Sequence, residues 1–412
     1  MPGPRPIRLF QRLLIADRGE TAARIARTCD ALGITPVFAV SEADRGAPYV
    51  RGRATVCVGP ADPWRSYRDA KAVLQAAKQT RCQALHPGCG VLARSPAFAA
   101  LCVTHGVTFV GPPAHVIARA MSRAPDHRAM AQAGPRALAS GAPRDALAPS
   151  LRRVHVQILA DRYGEVIHLG ERDCTMRRGG EKLIEESPAP TLSETQRRRL
   201  WMAAVNAART SGLVGAGTVE LVVGRSGSFR VDGIAPHLQV EHGVTEMLTG
   251  LDLVREQILV AAGHGLRLAQ GDLSLQGHAI ACSVHAEDPS EEINGSHAAI
   301  ERWQAPDTSD GNLRVDTHVE RGYRLPSQYD SLLCKLIARG LTREVARDRM
   351  LVGLEELVCR GVPTTVPLHA AVLASGQWLR DDYDTTTIPS WPPPIGALRH
   401  GTRTAATYRR TA

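Results

Sequence analysis

Apolar residues near the start of the chain come in short runs. Leu13-Leu14-Ile15-Ala16 and Pro36-Val37-Phe38-Ala39-Val40 each read as a buried strand of a parallel sheet. Between them, Ala22, Ile25, Ala26, Cys29 and Leu32 recur at helical spacing, and Gly33 predicts where that helix ends. Val56-Cys57-Val58 predicts a third strand, residues 66–77 a second helix, and Ala84-Leu85 a further strand. This alternation predicts an α/β domain with a doubly wound parallel sheet. Farther on, residues 228–235 read as a strand leaving a sheet. It runs into a polar loop, His237-Leu238-Gln239-Val240-Glu241-His242, and residues 245–258 have the pattern of one amphipathic helix. In the last third, strands followed by a helix at 343–358 predict a mixed α+β domain.

Composition narrows the function classes. At 412 residues, 43% hydrophobic and 4% aromatic, the chain can form two or three subdomains with cores of their own. No run reaches the roughly eighteen apolar residues of a membrane span, and Met1-Pro2-Gly3-Pro4-Arg5-Pro6 does not read as a secretory signal, so the cytoplasm is expected. The nine cysteines are scattered, with no C-x-x-C pair, which suits reduced thiols. A formal charge of +9 raises nucleic acid as a partner, but the arginines are spread thinly and aromatics for stacking are few. The densest cluster, Arg197-Arg198-Arg199, lies in a helical run as a solvated face. Neither a nucleic-acid nor a membrane partner is expected.

Several motifs carry chemistry. Near the start stands Ile15-Ala16-Asp17-Arg18-Gly19-Glu20, then His86-Pro87-Gly88-Cys89-Gly90-Val91-Leu92 and Phe109-Val110-Gly111-Pro112. In the middle are Glu171-Arg172-Asp173-Cys174-Thr175-Met176-Arg177-Arg178, Lys182 with Glu185-Glu186-Ser187-Pro188, Gly215-Ala216-Gly217-Thr218-Val219-Glu220, and Gln239-Val240-Glu241-His242. Later come Asn312-Leu313-Arg314-Val315-Asp316 and Tyr329-Asp330-Ser331-Leu332-Leu333-Cys334-Lys335. Together they resemble the biotin carboxylases, the ATP-grasp enzymes that charge biotin with bicarbonate.

The resemblance implies an α/β fold with an N-terminal doubly wound parallel sheet, a truncated ATP-grasp core and a mixed α+β C-terminal domain. The implied boundaries are 1–121 for the N-terminal domain, 122–152 for a shortened linker, 153–265 for the residual core, 266–388 for the C-terminal domain and 389–412 for a Pro-rich tail. It also implies roles. Lys182 matches the lysine that binds bicarbonate and the transferred phosphate, Glu241 the general base, and Arg314 the arginine that stabilises the biotin enolate. Gln239 and His237 fall on ligand-binding positions with Lys182, and Glu220 on one of two magnesium ligands.

The departures are as informative. The second magnesium position is Gly233, the family's asparagine is Ala235, its bicarbonate-binding arginine is His237, and an Arg-His pair is Gly179-Gly180. The mobile lid, with its glycine-rich loop over the ATP phosphates, is replaced by an Ala/Pro/Gly/Arg linker. Where a lysine-bearing helix is expected, the chain reads Ser122-Arg123-Ala124-Pro125-Asp126. Losing one preorganised donor commonly costs about 10²- to 10³-fold in rate, and without a lid carboxyphosphate meets bulk water.

The expectation is therefore a homologue that has lost ATP-dependent biotin carboxylation and needs no cofactor of its own. It would act as a structural or regulatory partner in a biotin-dependent acyl-CoA carboxylase, as a homodimer or beside an active biotin carboxylase, with biotin carrier protein and carboxyltransferase nearby. The alternatives are an active ligase using ATP, magnesium, bicarbonate and biotin, and a protein that binds biotin or a small acid.

Overall fold

The computed structural model describes residues 9–121, 151–178, 180–291, 295–385 and 388–391. Residues 122–150 of the predicted linker 122–152, Gly179, and the part of the predicted tail beyond 391 lie outside the described residues, while Arg152 already belongs to a strand.

The N-terminal strands β1 (Arg12–Ile15), β2 (Thr35–Ser41), β3 (Ala54–Gly59), β4 (Ala84–His86) and β5 (Thr108–Phe109) form one parallel sheet in the order β3-β2-β1-β4-β5. This is the doubly wound arrangement read from the sequence. The first helix, Gly19–Ala31, buries Ala22, Ile25, Ala26 and Cys29 against the sheet, as its spacing requires. The second helix begins later than predicted, at Ala70 rather than 66. The Asp69 carboxylate accepts from the backbone N–H groups of Lys71 and Ala72 and so fixes the start.

Eight antiparallel strands form the second sheet: β6 (Arg152–Ala160), β7 (Val166–Arg178), β8 (Glu181–Ser187), β9 (Gly215–Val223), β10 (Phe229–Ala235), β11 (His278–His285), β13 (Leu313–Thr317) and β14 (Leu332–Gly340). Their order is β10-β9-β6-β7-β8-β11-β14-β13. The sheet is continuous across residues 265 and 266, because β8 pairs with β11. A small ribbon of β12 (Arg302–Gln304) and β15 (Val358–Arg360) completes the strands among the described residues.

The single helix expected over 245–258 is two helices, His242–Thr249 and Leu253–Ala261. Gly250 takes a left-handed φ of 71°, which ends the first, and Asp252 caps the second by accepting from Arg255 N at 2.9 Å. The predicted helix 343–358 stops at Glu356, and Val358 already belongs to β15.

A buried ion pair ties the N-terminal domain to the eight-stranded sheet. Lys335 on β14, 2% exposed, lies 3.0 Å from Glu20 in the first helix and donates to the Val240 carbonyl at 2.7 Å. Burial alone would lower the Lys335 pKa; Glu20 and Asp316 outweigh it and raise it. Lys335→Met should destabilise the protein by about 3–5 kcal/mol, since it strands the Glu20 carboxyl in the interior. The double variant Glu20→Gln/Lys335→Met should recover most of that loss, and denaturant unfolding of the three proteins checks it.

Candidate functional site

The polar loop after β10 lies over the face of the sheet formed by β6, β7, β8 and β9. Cross-strand register sets the first part of the site. Glu220 on β9 stands opposite His155 on β6 on one side and Gly233 on β10 on the other. The only carboxylate beside Gly233 on its own strand, Asp232, falls at an irregularity in the β9–β10 register and lies 3.7 Å from Arg153 and 3.5 Å from Arg230. It is thereby engaged away from Glu220.

Gln239 is the centre of the loop. Its side-chain oxygen accepts from Arg172 at 3.1 Å and from Lys182 at 3.5 Å, and its amide nitrogen donates to Glu220 at 3.1 Å. Arg172, on β7 and 0% exposed, also donates to Gln157 at 2.8 Å and to Thr245 at 2.7 Å, so it ties the sheet, the loop and the following helix together. His242 contacts the Gln239 carbonyl through Nδ1 at 3.0 Å and closes the turn.

Lys182 and Glu241 form the charged pair of the site, with Nζ and Oε2 2.8 Å apart. Burial alone would raise the Glu241 pKa; the Lys182 ammonium, with Arg172, reverses that and holds it at about 2. Glu241 is therefore an ionised acceptor at neutral pH, and Lys182 stays charged because Glu241 outweighs its desolvation. His237 is different. Burial, with Arg94 adding to it, lowers its pKa to about 4, so the residue at the arginine position is a neutral imidazole bonded through Nδ1 to the Leu238 carbonyl.

Of the residues singled out from the sequence, the structure thus brings Lys182, Glu241, Gln239 and Glu220 together, with His237 on the same loop. Arg314, on β13, reaches the helix that follows the loop, where it shares the Glu246 carboxylate with His242. Its guanidinium is engaged by Glu246 at 2.8 Å and Asp316 at 2.6 Å. It lines a cleft of about 460 Å³ with Arg24, Arg27, Thr28 and Asp252.

A magnesium pair on a nucleotide takes oxygen ligands from more than one side, and of the two positions that the resemblance implies, Glu220 carries a carboxylate and Gly233 no side chain. Glu220 faces a glycine on one flank and on the other a histidine whose pKa burial, Lys182 and Arg172 drive well below the ordinary range. Among the described residues no group of three His, Cys, Asp or Glu side chains is placed to hold a metal ion. No described helix is long and apolar enough to cross a membrane.

Arg172, Glu185, His155 and Lys335 are polar residues of the interior whose partners the sequence does not reveal. The available signal was a charged or polar residue inside an otherwise buried strand, which is rare unless paired.

Three domain models match the chain: "Biotin carboxylase, N-terminal domain" over 9–117, "Carbamoyl-phosphate synthase L chain, ATP binding domain" over 146–269, and "Biotin carboxylase C-terminal domain" over 281–390. The chain is 34% identical to a biotin carboxylase of Nostoc sp. over 442 residues, covering 92% of this chain and 98% of the relative. It is 35% identical to biotin carboxylase 1 of Bacillus subtilis over 449 residues, covering 93% and 99%. Both alignments are longer than the 412 residues of the chain, so each relative carries residues that this chain lacks. Among solved structures, a Campylobacter jejuni biotin carboxylase in complex with β,γ-ATP superposes with a TM-score of 0.86 at 30% identity, covering 93% of this chain and 99% of that one. The biotin carboxylase domain dimer of Hydrogenobacter thermophilus 2-oxoglutarate carboxylase, with MgADP and bicarbonate, gives 0.85 at 31% identity, covering 92% and 97%.

Lys182→Met should raise the Glu241 pKa from about 2 by several units, because burial then acts against weaker opposition. A depressed carboxyl contributes stability that is present above its unfolded pKa and is lost as pH falls through the folded value. In the variant the carboxyl is raised above its unfolded value, so ionising it opposes folding: the variant's deficit against the parent should be largest near pH 7 and shrink as pH falls towards pH 4 and the carboxyl takes up a proton. Carboxyl-carbon NMR of glutamate-labelled protein, with acid unfolding in parallel, measures both.

Proposed function

The chain belongs to the biotin carboxylase family, and from that premise we propose that it has lost ATP-dependent carboxylation of biotin and serves as a non-catalytic partner in a biotin-dependent acyl-CoA carboxylase. The observation that carries this reading is the β9–β10 register, which sets Gly233 directly opposite Glu220 and leaves one carboxylate where two would be needed. The neutral His237 supports it, since the side chain at that position adds no cation of its own to those of Lys182 and Arg94 nearby. So does the interval between the matched regions, residues 118–145, set against relatives whose alignments outrun the chain.

Phosphoryl transfer to bicarbonate is almost wholly a matter of positioning and charge stabilisation. The residues that remain supply a different half of the chemistry. Lys182 offers a cation, Glu241 an ionised acceptor, and Gln239 an amide fixed by three neighbours. Such a set can hold and orient a small anion, and it provides no site for the metal that would activate the phosphate donor. The partner role and the domain limits 1–121, 122–152, 153–265, 266–388 and 389–412 belong to the same reading, as does assembly with a second copy or with an active relative. A second reading, an active biotin carboxylase using ATP, magnesium, bicarbonate and biotin, is favoured by the Lys182–Glu241 pair itself.

Release of ADP from magnesium ATP, dependent on biotin and bicarbonate, separates the two. With a full-length biotin carboxylase run alongside, the purified chain should release no ADP above a no-enzyme blank. Turnover that disappears in Lys182→Ala would establish the second reading.

A further inference from the structure

Glu185 takes no part in the site as described above, yet it lies within it. It sits on β8, three residues after Lys182, and is 1% exposed. Neither of its carboxyl oxygens has a hydrogen-bond partner among the described residues. A buried ionised carboxylate in that state would carry a large desolvation penalty; a protonated one carries far less.

The groups facing it come from each neighbouring element. Lys182 is on its own strand, Arg172, Cys174 and Arg177 are on β7, Cys282 is on β11, and Glu241 is at the start of the helix above. Burial and Glu241 favour the protonated form, the cations oppose it, and the balance sets the Glu185 pKa at about 8.

The surrounding charge does not cancel. Lys182 and Glu241 neutralise one another across 2.8 Å. The hydrogen bonds of Arg172 run to the neutral side chains of Gln157, Thr245, Thr218 and Gln239, and those of Arg177 to the carbonyls of Cys174 and Gly180. The Glu220 carboxylate, which accepts from the Gln239 amide at 3.1 Å, offsets one of the two guanidinium groups, so with Glu185 uncharged one positive charge is left over. That excess favours a small monoanion beside Lys182, and a negative charge on Glu185 would remove it.

We propose that Glu185 is a positioning residue that gates this anion site: protonated, it leaves the positive excess that holds a carboxylate-sized monoanion, and ionised, it draws Lys182 towards itself and releases the anion. The proposal rests on the reading of the chain as one that keeps the anion-holding part of its family's site, and it adds the proton dependence of that part. Proton release and anion release are then coupled, each weakening when the other species is bound.

Formate is a suitable probe because its charge does not change between about pH 6 and pH 10. Titration of carbon-13 formate into the purified full chain should show affinity falling by about tenfold or more between about pH 7 and pH 9.5, with the midpoint close to the Glu185 value of about 8. Glu185→Gln, an uncharged isostere, should bind formate equally at both ends of that interval. A parent affinity that does not change with pH, a variant that follows the parent profile, or no formate binding at either pH overturns the gate.

The parent protein carries a second readout that needs no variant. The carboxyl resonance of Glu185 should titrate near pH 8 and move to higher pH when formate saturates the site, by about one unit for a tenfold coupling. A midpoint unmoved by formate overturns the coupling. ADP release is independent of both readouts. Turnover would remove the non-catalytic reading and leave the gate standing, while a flat formate profile would remove the gate and leave that reading.

Discussion

A guanidinium with no solvent exposure has to find its hydrogen bonds inside the protein, and in this chain the site is built around that requirement. Arg172 meets it through Nη1 and Nη2, which reach Gln157 on β6, Thr218 on β9, Gln239 in the loop after β10 and Thr245 in the helix beyond. Each contact fixes an element that would otherwise be free to shift. The loop is set over the sheet, Gln239 is turned so that its amide faces Glu220, and Glu241 follows at the start of the helix, where Lys182 meets it. Lys335 does the same from the next strands, holding the Val240 carbonyl and Glu20 in the first domain. The geometry of the candidate site is thus the by-product of satisfying two buried cations.

Much of this was legible in the sequence because it follows from periodicity and short motifs. The parallel sheet follows from apolar runs alternating with helical spacing, and β1, β2 and the first helix lie where Leu13 to Val40 predict them. The pairing of Glu220 with Gly233 was also foreseeable from matching strands, and the register supplies it residue by residue. What escaped was set by single residues or by distance. Gly250 and Asp252 divide a pattern that reads as one helix, because a left-handed glycine and a cap interrupt the chain without interrupting its hydrophobic period. The engagement of Arg314 by Glu246 and Asp316 was hidden because it is made by residues 68 and 2 positions away. Glu185 was hidden for a simpler reason: a glutamate in a strand gives no sign of whether its oxygens will find partners.

The positions that depart from the family share a setting. Gly233 and Ala235 are on β10, the edge strand of the eight-stranded sheet, and His237 is in the loop directly after it. Their replacements remove a carboxylate, an amide and a guanidinium without leaving a buried charge behind, so the fold tolerates them at little cost.

Lys182 and Glu241 are in the opposite position. Each is largely buried and each is the other's counter-charge, so removing either alone leaves an unpaired ion, at a cost of about 3–5 kcal/mol. Stability alone is enough to retain such a pair whether or not chemistry is performed there. Its survival therefore says little about turnover, and the functional reading has to rest on positions where the fold is indifferent to the residue present. At those positions stand Gly233, Ala235 and His237, where the family resemblance implies a carboxylate, an amide and a guanidinium, and it is on them that the proposed loss of carboxylation rests.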